Sequence, residues 1–160
     1  DEETMEDTLG SLLQEKRKTI SVYEDLTGGL VAERFLQASL TCFVEGMIGS
    51  SPDAVKRILS FSRRPDEYGD LIKEPFALVD ELAWAVRVRA KSDFGVALHA
   101  VPDLDDKAEN LAKGQTYISL TDGNSFRHRT YNMAGRGRPD RTRMSLNALD
   151  LVRLALLEGM

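Results

Sequence analysis

The sequence predicts an α/β fold: a three-layer α/β/α sandwich on a mixed five-stranded sheet. Two observations support this. Segments of helical period alternate with short β-branched or aromatic runs through most of the chain, and the alternation then gives way to two strands joined through Asp122-Gly123-Asn124, a hairpin signal. Strands separated by helices run parallel, whereas a hairpin makes its strands antiparallel, so the sheet is mixed.

Taken in order, Met5, Leu9, Leu12 and Leu13 recur at helical spacing, and Thr19 to Tyr23 follows as a first strand. Gly28-Gly29 makes a turn, after which Val31, Phe35 and Ala38 mark the buried stripe of a second helix. Asp25 to Thr27 precede that helix, where free backbone donors favour an anion. Cys42 to Ile48 reads as a second strand, and Ser51-Pro52-Asp53 starts a short helix that buries Val55, Ile58 and Leu59. Ser60 to Glu74 is polar and reads as a surface connection. Phe76, Val79, Ala83, Val86 and Ala90 keep helical spacing through Trp84. Three strands follow at Phe94 to Leu98, Thr116 to Leu120 and Phe126 to Tyr131. The last helix begins near Pro139, buries Met144, Ala148, Leu151, Val152 and Ala155, and ends at Gly159. Ligands of such sheets bind beyond the strand C-termini, which directs attention to three loops: Glu24 to Gly29, Gly49 to Asp53, and His99 to Lys113.

With 160 residues, the chain reads as a single domain spanning 1–160, of which 1–7 form a flexible acidic start. A formal net charge of −5 argues against a general polyanion-binding surface. One cysteine, Cys42, excludes an intramolecular disulfide or a thiol zinc cluster and suits a reducing cytoplasm, the expected location. No apolar stretch approaches the roughly 20 residues of a membrane-spanning helix, so no membrane partner is expected. Neither a metal nor a cofactor is expected.

The run Glu24-Asp25-Leu26-Thr27-Gly28-Gly29-Leu30, the pair Glu45-Gly46 and the run Gly114-Gln115-Thr116-Tyr117-Ile118 together resemble the CinA C-terminal domain family, over roughly residues 9–158. The resemblance implies the same three-layer fold. It also implies descent from enzymes that hydrolyse the carboxamide of nicotinamide mononucleotide with a serine and a lysine. Such a serine needs a base, and a desolvated lysine of lowered pKa can act as one. The site pattern departs from the family at several points. Asp25 stands where the family loop has its serine. Counting from Gly46 puts Val55 at the family lysine position and Lys56 one residue later, a turn of about 100° on a helix. His99-Ala100-Val101-Pro102-Asp103-Leu104-Asp105-Asp106 replaces a glycine-rich phosphate loop. Pro75 replaces a serine before the fourth helix, and Gly135-Arg136-Gly137-Arg138 lacks the acid of a Gly-Asp-Arg turn.

The individual candidates have simpler readings as well. Ser51 is a candidate nucleophile but has the ordinary composition of a helix cap, and Ser50 has less support. Lys56 reads most simply as an exposed helix residue. Thr27 either caps the second helix or contacts an anion. His99 is a candidate acid or base beside Asp103, Asp105 or Asp106, against an acidic solvated loop. His128 reads as structural. Arg136, Arg138, Arg141 and Arg143 concentrate positive charge and either hold phosphates or pair with acids such as Asp140.

The primary expectation is a CinA-like domain with no catalytic residues, having lost nicotinamide mononucleotide deamidase activity and acting as a binding or assembly module. Its ligand-binding candidates are Asp25, Thr27, Gly28, Gly29, Ser50 and Arg143. A homo-oligomer or an unidentified protein is the expected partner. One alternative is a diverged amidohydrolase using Ser51 with Lys56, or His99 with the acidic loop. The other is weak nucleic-acid binding through the Arg136–Arg143 loop, which the charge and the lack of interleaved aromatics disfavour.

Overall fold

The computed structural model describes residues 3–102, 114–135 and 137–160. The chain opens with helix α1 (Met5–Lys16). Its N-cap Thr4 accepts a hydrogen bond from the Asp7 amide, while the Asp7 carboxylate accepts one from the Thr4 amide. This reciprocal box satisfies two donors that a helix end leaves open. Met5 to Asp7, expected in a flexible start, thus form the first turn of a helix anchored by buried Leu9 and Leu13.

β1 (Ile20–Glu24), α2 (Leu30–Ala38), β2 (Phe43–Ile48), α3 (Pro52–Leu59), α4 (Tyr68–Leu71) and α5 (Pro75–Ala90) follow. β3 (Phe94–Val101), β4 (Gln115–Thr121), β5 (Phe126–Tyr131) and α6 (Arg138–Leu157) complete the described elements. The sheet order is β2-β1-β3-β4-β5. β1 runs parallel to β2 and β3, and β3, β4 and β5 are successively antiparallel. The expected mixed five-stranded sheet with helices on both faces is what the chain forms.

Side-chain alternation along the strands divides the interior in two. Ile20 and Val22 of β1 join Val96, Leu98, Ile118 and Leu120 beneath α1, α2 and α6. Tyr23 and Ala97 face the opposite way and pack beneath α3, α4 and α5. In register, Tyr23 lies beside Ala97 and Glu24 beside Leu98, so the C-terminal ends of β1 and β3 finish side by side. By the same alternation His99 follows Ala97 onto the Tyr23 face.

Three expectations need correction. β3 continues to Val101, because His99, Ala100 and Val101 pair with Tyr117, Thr116 and Gln115, so His99 stands on a strand and not in a loop. The connection after α3 contains α4, buries Leu71, and is tied down where Arg63 N donates to the nearly buried Glu81 carboxylate at 2.9 Å. α5 buries Leu78, Leu82 and Ala85 as well as Val79, Ala83 and Val86, because α3 and α4 cover the side turned away from the sheet. Phe76 is instead exposed, with its ring edge-on to Tyr117 at 5.1 Å. The acidic run Asp103, Asp105 and Asp106 lies outside the described residues.

Candidate functional site

Glu24 ends β1 with a completely buried side chain. One carboxylate oxygen accepts from the Thr27 hydroxyl at 2.6 Å, the Gly29 amide at 2.9 Å and the Val31 amide at 3.1 Å. The other accepts from the Ala32 amide at 2.8 Å. These amides are the unpaired donors at the start of α2, where the helix dipole favours a negative group. The anion expected there is therefore supplied by the chain itself. Thr27 does not cap α2, whose N-cap is Gly29 without a side-chain cap, and its buried hydroxyl is committed to Glu24. Gly28 and Gly29 take φ values of +59° and +110°, a left-handed conformation that glycine adopts without a Cβ penalty and that returns the chain over Glu24.

Asp25, the next residue, is a second acceptor hub. Its Oδ1 accepts from the Leu26 amide at 2.7 Å and the Ala100 amide at 3.0 Å. Its Oδ2 accepts from the Tyr23 hydroxyl at 3.1 Å and lies 2.6 Å from His99 Nδ1. Burial, then the charge of Asp25, pushes the Tyr23 phenol far above its ordinary range, so Tyr23 remains a neutral donor. An ionised carboxylate accepts only, so the hydrogen shared with His99 sits on Nδ1, and a neutral ring then carries its lone pair on Nε2.

These groups open onto a cleft of about 410 Å³ between the ends of β1 and β3, the start of α3, and α4. His99, Asp25, Ser50 and Ser51 are among its polar lining, and Val55, Tyr68 and Ile72 are among its less polar walls. Gly49 allows Tyr23 to reach Asp25: a Cβ on Gly49 would stand 2.1 Å from the Tyr23 hydroxyl oxygen.

The other candidates are placed as follows. Ser51 caps α3, its hydroxyl accepting from the Ala54 amide at 3.2 Å, while Ser50 is exposed on the cleft wall. Val55 is buried and lines the cleft. Lys56 lies outside that lining, its ammonium 5.3 Å from the centre of the Tyr68 ring. Arg143 is exposed on α6 and does not line the cleft. An Arg141 nitrogen lies 3.9 Å from where a Gly28 Cβ would stand, and Arg138 lines a separate polar recess with Arg34. Asp140 forms no ion pair with these arginines among the described residues; its carboxylate packs against Gly135. His128 sits beside Asp80 on β5, away from the cleft. Among the described residues, no three His, Cys, Asp or Glu side chains gather as a metal site.

Sequence reading named Asp25 and His99 separately but missed the bond between them, and it missed Glu24 and Tyr23 as organisers. A buried strand that ends in glutamate directly before a glycine turn and a helix was the available signal for Glu24.

A family model described as the CinA C-terminal domain matches residues 2–156. A CinA-like protein of Citrifermentans bemidjiense is 31% identical over 163 aligned residues, covering 98% of this chain and 38% of that protein. Another, from Chlorobium limicola, is 31% identical over 91% of this chain and 35% of its own length. The chain thus spans less than two fifths of the length of these curated relatives. Among solved structures, a CinA superfamily protein from Enterobacter cloacae superposes with a TM-score of 0.80 at 18% identity, covering 98% of this chain and 95% of that one. The match along nearly the whole chain, with the same fold in solved relatives, means that this chain belongs to the CinA C-terminal domain family.

Proposed function

We propose that this chain keeps the family's small-molecule cleft but not serine–lysine amide hydrolysis, and that it acts as a binding module. The observation that carries this reading is the occupancy of Asp25. Where a nucleophilic hydroxyl would stand, a carboxylate holds Leu26, Ala100, Tyr23 and His99 in place, with both oxygens committed. A buried valine at the family lysine position offers no base, and Lys56 is directed elsewhere. Incubation with nicotinamide mononucleotide should release no ammonia above a buffer control, beside a family enzyme that retains its serine and lysine. Sustained release by the unmodified chain would end this reading.

One observation favours a second reading. The Asp25–His99 pair directs the hydrogen of a neutral ring to Nδ1 and leaves Nε2 as the acceptor beside a cleft, which is how a general base that activates water is oriented. In this version His99 Nε2 takes a proton from water as the water oxygen bonds to an amide carbonyl carbon, then passes that proton to the amide nitrogen as the C–N bond breaks, leaving a carboxylic acid and ammonia or an amine. Any amide turnover would then disappear in His99→Ala and survive in Ser51→Ala, and survival in His99→Ala would dismiss it.

A further inference from the structure

Resting on the binding-module reading, we propose that the cleft takes a neutral or cationic aromatic ligand that offers an N–H donor and carries no phosphate. Three sets of groups that could hold a phosphate are largely used within the chain. The amides of Gly29, Val31 and Ala32 at the α2 start are bound to Glu24. At the α3 start, Pro52 has no N–H and the Ala54 amide is bound to Ser51, which leaves the single amide of Asp53, a residue that itself carries a carboxylate. The amides of Leu26 and Ala100 are bound to Asp25. Among the described residues, no lysine or arginine lines the cleft, whereas Asp25 contributes a carboxylate and the Glu24 carboxylate precedes it in the chain.

Hydrogen bonds from neutral groups stabilise a negative charge without cancelling it, so a phosphate entering this cleft meets repulsion with few free donors. A ligand with positive or no charge avoids that repulsion. The walls formed by Tyr68, Ile72, Val55 and Leu78 suit a flat apolar body. With its hydrogen held on Nδ1 by Asp25, the neutral His99 ring turns its Nε2 lone pair to an N–H on that body's edge.

Nicotinamide riboside and nicotinamide mononucleotide are suitable probes, because both carry a pyridinium and a carboxamide and they differ by one phosphate. Titration calorimetry at low salt should show the riboside binding about tenfold more tightly than the nucleotide, with the gap narrowing as salt rises. Ser50→Lys places a cation on an exposed position of the cleft wall and should remove most of that preference. The inference is overturned if the nucleotide binds as tightly as the riboside, or if neither binds. It is also overturned if Ser50→Lys leaves the preference unchanged. Ammonia appearing during the titration would instead count against the binding-module reading and leave the order of affinities to stand or fall separately.

Discussion

Asp25 Oδ2 and His99 Nδ1 lie 2.6 Å apart, bridging the C-terminal end of β1 to that of β3. The same carboxylate also accepts from the backbone of each side, at Leu26 and Ala100. It therefore fastens the loop after β1 to β3 while setting the tautomer of the one histidine on the cleft.

Removing that fastening should be costly. In Asp25→Ala, four donors in a largely buried setting lose their acceptor, and unsatisfied buried donors cost about 1–3 kcal/mol each before relaxation and water entry. We expect a net loss of roughly 2–4 kcal/mol in urea unfolding. Asp25→Ser should also destabilise, because one hydroxyl cannot accept from all four. A variant as stable as the parent would show that the hub contributes little.

Glu24→Gln should be similarly harmful despite its near-identical shape. The amide supplies one accepting oxygen, and its NH2 group must face a helix-start N–H or the Thr27 hydroxyl. A loss of about 2–3 kcal/mol in denaturant unfolding is expected, together with faster hydrogen exchange in the first turn of α2. Unchanged exchange at Val31 and Ala32 would contradict the assignment.

Gly49→Ala tests the approach of β2's exit to Tyr23. The added methyl would collide with the Tyr23 ring and hydroxyl, so either the loop or the ring must shift, at a cost of about 1–3 kcal/mol. Thermal unfolding and the near-ultraviolet tyrosine signal should both change. An alanine variant matching the parent in both would mean that the loop yields freely.

Asp150 gives the fold a component of acid sensitivity. Burial opposes its charge, but hydrogen bonds from Arg153 and Arg129, with their charges, outweigh that and hold its carboxyl below the ordinary range. A lowered native pKa contributes stability that is fully present above the unfolded value, about 3.9, and is lost as pH falls through the native one. Asp150→Asn should therefore reduce stability at neutral pH and flatten the acid limb of stability against pH. An unchanged acid limb would remove Asp150 as a contributor.

The strands and most helices were legible because their signals are local. Thr19 to Tyr23 and Phe126 to Tyr131 have β composition, and α6 shows its buried residues at helical spacing. α4 was missed because four residues carry too little period to stand out from a polar connection. The stripe of α5 was read too narrowly because a helix covered on two sides has no clean polar face. At the site, the resemblance puts Asp25 where the family loop has a serine, but the sequence could not show that His99 lies within reach. That contact depends on the β1–β3 register and on β3 continuing past Leu98, both of which are set by long-range pairing.

The most direct test of Asp25 as a structural acceptor and not a reactive replacement for serine is nitrogen-15 NMR of the His99 ring, recorded where the ring is neutral. The account predicts a protonated Nδ1 and a bare Nε2, reverting toward the ordinary mixture of tautomers in Asp25→Asn if that variant remains folded. A bare Nδ1 with the hydrogen on Nε2 in the unmodified chain would contradict it.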